Sequence, residues 1–150
     1  IEYGDFQCPY CLKTHLLLNE LRRLYPSDLR IVFKNFPLER HPRAYVAARS
    51  AQCAHFQNKF WPYHDLLFAN SNALEDDDLE IYAREIGLNI EQYNKCLISP
   101  QVTERINENL VSGKRYGVEG TPAIYINGIK LVGLLPLPLI QAIIDQELMR

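Results

Sequence analysis

The residues of this chain that are best suited to chemistry are two cysteines, Cys8 and Cys11, separated by Pro9 and Tyr10. Cysteines at this spacing can exchange a disulfide with another protein when a helix follows them. Pro9 lacks an N–H and has its φ held at about −65°, so it suits the first helical position and makes Cys8 the N-cap. Free backbone N–H groups and the positive end of the helix dipole would stabilise a thiolate there. We therefore expect a redox-active pair that is tuned by Pro9-Tyr10.

The same spacing also occurs in half of a zinc site. Such a site would need a second closely spaced pair of cysteines or histidines, whereas Cys53 and Cys96 stand alone in the sequence. The four histidines give no ligand pattern, and His15 is expected at the surface. Redox chemistry is therefore favoured over zinc binding, and neither a metal nor another cofactor is predicted.

Composition excludes several other functions. The chain has 150 residues, of which 47% are apolar and 23% charged, as in an ordinary globular domain. Its net charge of −2 argues against nucleic acid or an anionic membrane as the main partner. No apolar run approaches the roughly 18 residues that a membrane span requires.

The order of elements that would position the cysteines is βαβ, then a helical block, then ββα. Residues 1–7 and 29–36 read as strands on either side of a helix over residues 9–25, which predicts parallel pairing. Residues 42–116 indicate four or five helices. Residues 122–126 and 129–132 read as a hairpin with a turn at Asn127-Gly128, and a last helix covers residues 138–149. Because Ile1 already reads as the middle of a strand, we expect that strand to be truncated and a signal sequence to lie outside the chain.

Four separated segments carry a resemblance to a known family. They are Tyr3-Gly4-Asp5-Phe6-Gln7-Cys8-Pro9-Tyr10-Cys11, Phe33-Lys34-Asn35-Phe36-Pro37-Leu38, Lys59-Phe60-Trp61 followed by His64, and Gly120-Thr121-Pro122-Ala123. Together with the element order, they resemble the DsbA-like thiol:disulfide oxidoreductases. The resemblance implies an α/β, thioredoxin-like fold (βαβ…ββα) with an all-helical insertion. Residues 1–38 and 117–150 would form the thioredoxin-like domain, and residues 39–116 the insertion.

The resemblance also implies a role for each site residue. Cys8 would be the exposed nucleophile and Cys11 the resolving thiol. Thr121-Pro122 resembles the cis-proline loop of the family, which lies beside the disulfide and can bind an incoming peptide as an added strand. Glu2 occupies the position of an acidic residue six places before the first cysteine, and a buried carboxylate there could take the proton of Cys11.

Cys53 and Cys96 allow two interpretations. They form a second, structural disulfide within the insertion, or they are two buried free cysteines that act as small apolar residues. Their Cα separation decides between the two, because bridged cysteines lie within about 7 Å of each other.

The function implied by the resemblance is the introduction of disulfides into exported, cysteine-containing proteins during their folding. The enzyme would work in the bacterial periplasm or another extracytoplasmic space, and a membrane redox partner would reoxidise it. An isomerase or a reductase of the same fold is the main alternative, because such enzymes use the same two sulfur atoms. A non-catalytic zinc-binding or scaffold module is a further alternative from a different class.

Overall fold

Strands and helices follow one another in an order that begins βαβ and ends ββα. The computed structural model describes residues 1–150, apart from the side chain of Val132. The elements are β1 (Glu2–Gly4), α1 (Pro9–Leu24), β2 (Phe33–Asn35), α2 (Ala44–Phe56), α3 (Phe60–Ala69), α4 (Asp76–Glu85), α5 (Ile90–Leu97), α6 (Pro100–Arg115), β3 (Ala123–Ile126), β4 (Ile129–Val132) and α7 (Leu137–Leu148). This order and the mixed sheet that it builds confirm the predicted thioredoxin-like α/β fold.

The four strands form one mixed sheet in the order β2-β1-β3-β4. β1 and β2 are parallel, and β3 is antiparallel to both β1 and β4. The strand expected over residues 29–36 is shorter than predicted, because β1 pairs with it only from Glu2 to Gly4. The hydrogen bonds between β1 and β2 begin just before β2, where the Glu2 N–H donates to the Val32 carbonyl at 2.8 Å.

Five helices, α2 to α6, lie between β2 and β3, in line with the four or five expected from the sequence. The central helix is α2, whose residues Ala47, Ala51 and Ala54 are fully buried and let neighbouring helices approach closely. A buried hydrogen-bond chain crosses this block. The Tyr93 hydroxyl donates to Ser50 Oγ at 3.0 Å, and the Tyr63 hydroxyl donates to the Leu79 carbonyl at 2.8 Å.

Cys53 on α2 and Cys96 on α5 are joined by a disulfide, with their Cα atoms 5.8 Å apart. The structure therefore contains the bridge that the sequence offered as one of two interpretations. The bond joins two positions 43 apart in the sequence within the helical block, and Cys53 is fully buried. A cross-link of this kind stabilises a protein chiefly by restricting its unfolded chain.

Helices α1 and α7 pack together on one face of the sheet. Their contact is an apolar cluster made by residues of both helices and of the hairpin, namely Leu21, Ile124, Leu131, Ile140 and Ile144. This packing holds α1 against the sheet and so places its first turn near the end of β1. Among the described residues, none of the helices has both the length and the apolar character of a membrane span.

Removal of the structural disulfide should destabilise the protein without touching Cys8 or Cys11. For the double variant Cys53→Ala/Cys96→Ala, we expect the free energy of unfolding to fall by about 2–4 kcal/mol, the usual cost of losing such a cross-link. Urea denaturation under non-reducing conditions measures it. An unchanged denaturation midpoint would contradict a stabilising role for this bond.

Candidate active site

The first turn of α1 holds both thiols. Cys8 is the N-cap, with φ −80° and ψ 121°, and Pro9 occupies the first helical position. The Cys8 carbonyl accepts hydrogen bonds from the Cys11 and Leu12 N–H groups at 3.1 and 3.2 Å. Cys8 and Cys11 are unbridged, so the structure describes the dithiol state. The local geometry is the one that a proline after an N-cap residue favours.

The loop before β3 covers Cys8. The peptide bond between Thr121 and Pro122 is cis, and the Cys8 thiol lies 3.5 Å from the Thr121 carbonyl oxygen. Cys8 is only 2% exposed, whereas its neighbour Tyr10 is 58% exposed. The expectation of an exposed nucleophile is therefore wrong for this state, because the Thr121 carbonyl lies against the sulfur.

The two thiols have opposite acidities. A hydrogen bond from Cys11, with smaller contributions from Thr121 and from the N–H groups of Tyr10 and Cys11, lowers the pKa of Cys8 to about 5 despite its burial. The same hydrogen bond, together with burial and the charge on Cys8, raises the pKa of Cys11 well above its usual value. At neutral pH the pair therefore carries one negative charge, on Cys8, and one proton, on Cys11.

Glu2 lies on β1 and is only 2% exposed. Burial raises the pKa of its carboxyl group to about 8, and the positive charge of the N-terminus lowers it only in part. Among the described residues, its Oε1 atom has no hydrogen-bond partner. Gly4 shares this face of the strand, and a Cβ atom there would lie 2.4 Å from the Phe33 ring. The strand therefore holds, in a tightly packed setting, a carboxyl group that is mostly protonated at pH 7.

The sequence did not single out Asp5, which fixes the loop before Cys8. The Asp5 side chain is fully buried, and its Oδ1 accepts the Gln7 N–H at 2.8 Å. Its Oδ2 accepts the Leu38 N–H at 2.9 Å and lies 2.7 Å from His41 Nδ1. The Asp5 carbonyl accepts the Cys8 N–H at 3.1 Å. The sequence did contain a signal for this contact. Asp5 lies two residues before Gln7, and an aspartate side chain commonly accepts the N–H two residues further on, in an Asx-turn.

His15 is not at the surface, as the sequence had suggested, but is 9% exposed. It lies one helical turn after Cys11 on the buried face of α1. Its ring stacks on Phe68 of α3 with centroids 5.1 Å apart, and the His64 ring lies at 5.2 Å. Sequence spacing could not reveal this, because α3 lies far along the chain.

A dithiol at the start of the first helix, facing a cis-proline loop on the same sheet, defines a thioredoxin-fold protein with a redox-type site. The thioredoxin family model matches residues 1–146. The chain belongs to the thioredoxin family, and its helical insertion gives it the DsbA-like form of the fold.

Two solved structures illustrate the likeness. A thioredoxin-like oxidoreductase from Silicibacter pomeroyi superposes with a TM-score of 0.88 and 26% identity, over 99% of this chain and 85% of that one. The thiol-disulfide exchange protein alpha-DsbA2 from Wolbachia pipientis superposes with a TM-score of 0.86 and 19% identity, over 97% of this chain and 78% of that one. At that identity, the second comparison speaks for the fold alone.

A curated relative has a different name. The Na(+)/H(+) antiporter NhaA of Herminiimonas arsenicoxydans is 35% identical over 145 residues, which are 97% of this chain but 23% of that protein. The chain therefore spans about a quarter of the length of this relative.

The acidity of Cys8 can be measured directly. We expect the thiolate absorbance of the reduced protein to titrate with a midpoint near pH 5. Because the folded pKa lies below the usual value, Cys8 stays charged at pH 7 and loses its charge only as the pH falls through about 5. Cys11→Ala should raise the midpoint, because it removes the donor, and Cys11→Ser should raise it less. A wild-type midpoint above 7, or equal shifts in the two variants, would contradict this account.

The Asp5 carboxylate should matter for stability. Asp5→Asn turns one acceptor oxygen into an NH₂ group that faces a donor, so we expect a loss of about 2–3 kcal/mol in the free energy of unfolding. Asp28→Asn, an exposed loop substitution, is the matched control and should stay within about 0.5 kcal/mol of wild type. Equal denaturation midpoints for the two variants would show that Asp5 does not hold the loop.

Proposed function

We propose that this chain is a thiol-disulfide oxidoreductase that introduces disulfides into exported proteins through Cys8 and Cys11. The observation that carries the proposal is the division of acidity between the two thiols, with a pKa of about 5 for Cys8 and a strongly raised pKa for Cys11. A stabilised thiolate favours the reduced pair, and a pair that is favoured in its reduced form is a strong oxidant of other thiols.

The exchange would proceed in two steps from the Cys8–Cys11 disulfide. A substrate thiolate attacks Cys8, the bond to Cys11 breaks, and the Cys11 sulfur leaves with the electron pair and takes up a proton. A second substrate thiolate then attacks the substrate sulfur of the mixed disulfide and releases Cys8 as a thiolate. The substrate loses two electrons, which the Cys8/Cys11 pair gains. The low pKa of Cys8 makes it a good leaving group in the second step.

Three further groups would assist this exchange. Thr121 and Pro122 would bind the substrate backbone beside Cys8, as an extended segment that approaches the loop before β3. The exposed Tyr10 ring would border this binding surface. Glu2 would exchange the proton of Cys11, and its pKa of about 8 allows both protonated and charged forms near neutral pH. In this proposal, residues 1–38 and 117–150 carry the chemistry, and residues 39–116 form the covering insertion.

An extracytoplasmic location fits the cross-link in the insertion. Structural disulfides persist in oxidising compartments and are rare in the cytosol, so the Cys53–Cys96 bond supports a periplasmic or similar setting. The chain is also similar to a segment, about a quarter of the length, of a protein named as an ion antiporter, and this similarity supports a location beside a membrane. There a membrane redox partner would withdraw the two electrons from Cys8 and Cys11.

The reduction potential of the Cys8–Cys11 couple tests the proposed direction. Equilibration of the purified protein with glutathione buffers should give a potential well above the roughly −270 mV of thioredoxin and toward the roughly −120 mV of a strong oxidant. A potential of about −270 mV would contradict the proposed oxidase and favour a reductase. An intermediate value, together with reshuffling of a scrambled disulfide substrate, would favour an isomerase.

Thermal unfolding gives an independent check on the same equilibrium. Because the lowered pKa of Cys8 stabilises the folded dithiol, the reduced protein should be more stable than the form with an oxidised Cys8–Cys11 pair. This difference should be largest at about pH 8.5, the usual pKa of an unfolded thiol, and should shrink as the pH falls toward 5. Above about pH 8.5 it should shrink again, because the raised pKa of Cys11 keeps that thiol protonated in the folded protein after the unfolded thiol has lost its proton. A more stable oxidised form would contradict an oxidase.

A further inference from the structure

Three potential metal ligands meet between α1 and α3, away from the two thiols. His64 Nδ1 lies 2.9 Å from Asp65 Oδ1, and His15 Nδ1 lies 4.0 Å from the same oxygen. One ligand atom from each of the three residues lies within 4.8 Å of the other two. Both imidazoles are buried, whereas the Asp65 side chain is 51% exposed, so the cluster opens to solvent on one side.

We propose that His15, His64 and Asp65 form a binding site for a divalent transition-metal cation, of which Zn²⁺ is the type. Two imidazole nitrogens and one carboxylate oxygen are a common protein ligand set for zinc, with water in the fourth position. Zinc bonds of about 2.0–2.2 Å in a tetrahedron separate the ligand atoms by roughly 3.4 Å. The observed separations lie on both sides of this value, and rotation of the half-exposed Asp65 would adjust them.

The surroundings of the two imidazoles suit ligation. The Asn19 amide nitrogen lies 3.1 Å from His15 Nε2, and a half-turn of this amide would bring its oxygen there to accept the Nε2 proton when Nδ1 binds a cation. Partners of this kind orient metal-binding histidines in many proteins. Burial lowers the pKa of both His15 and His64, so both rings are neutral at pH 7, the form that binds metals.

The remaining nitrogen of His64 has an aromatic setting. Among the described residues, His64 Nε2 is buried without a hydrogen-bond partner. The Phe33 and Phe68 rings both meet the His64 ring nearly at right angles, each with centroids 4.9 Å away. When a cation occupies Nδ1, the proton must reside on Nε2, where an aromatic face can accept a weak N–H···π contact.

The positive charge of Arg22 should weaken the binding of a cation at this site. Its guanidinium lies over the Trp61 ring at 4.3 Å, and its positive charge acts on His15, His64 and Asp65. This charge opposes a second cation nearby. A bound cation would join α1 to α3 one helical turn below Cys11, and it would tie the helix that carries the thiols to the insertion.

The experiment uses the protein with Cys8 and Cys11 oxidised to a disulfide, so that neither thiol can bind metal. Calorimetric titration with Zn²⁺ at pH 7.5 should show one bound ion per chain. At a free concentration of Zn²⁺ 100 times the Kd, Tm should rise by roughly 5–10 °C. Co²⁺ should give visible absorption bands without the intense charge-transfer bands of thiolate ligation.

Variants locate the site. His15→Gln and Asp65→Asn should each weaken Zn²⁺ binding about 10-fold or more, because loss of a supporting partner alone costs that much. His55→Gln, which changes an exposed histidine on α2, is the matched control and should leave the affinity unchanged. Arg22→Gln should tighten binding severalfold, since it removes the opposing charge.

Three results would overturn the proposal. They are the absence of Zn²⁺ binding by the oxidised protein at about 1 mM metal, equal affinities for wild type and Asp65→Asn, and no response to Arg22→Gln. Asp65 is half-exposed, so its replacement tests the site even where a change at the buried His15 lowers stability. The outcome is independent of the oxidase proposal, because the thiols are bridged throughout.

Discussion

A single negative charge, held on the Cys8 sulfur in a place with almost no access to water, is the constraint around which this structure is arranged. Burial alone would push the proton back onto the sulfur, so donors must surround it. The Cys11 thiol and the first N–H groups of α1 supply them. The Asp5 carboxylate holds the loop before Cys8, since its oxygens are occupied by two backbone N–H groups and by His41.

The sheet and the helical insertion contribute to this arrangement in different ways. The sheet supplies the Thr121-Pro122 loop at the start of β3, and the antiparallel pairing of β3 with β1 places this loop beside the strand that leads to Cys8. The insertion supplies aromatic packing: Phe68 and His64 of α3 contact Phe6, which lies in the loop just before Cys8. The two thiols therefore share one buried apolar cluster with Phe6 and with Phe68 of the insertion.

Much of this was accessible from the sequence, because the responsible signals are local. In Cys8-Pro9-Tyr10-Cys11, the proline predicts that Cys8 is the N-cap of a helix, and the order of strands and helices predicts the fold. What the sequence could not supply depends on long-range contacts. Cys8 is covered by the Thr121 carbonyl, which lies 113 residues away in the sequence. In the same way, Asp5 accepts the Leu38 N–H, and His15 is buried against Phe68. The β2 strand was overestimated for the same reason: strand propensity describes one segment, whereas pairing requires an equally long neighbour.

The Cys53–Cys96 bond has a consequence for how the molecule is made. The bond links α2 to α5, and it closes only after both helices have been synthesised and have met. A newly made chain is therefore first a substrate for the same kind of chemistry that we propose for the finished molecule. Mature copies could oxidise nascent ones, and maturation would then accelerate with the amount of protein already present. Under the proposed function, the supply of folded protein would then depend on the amount already made as well as on the rate of synthesis.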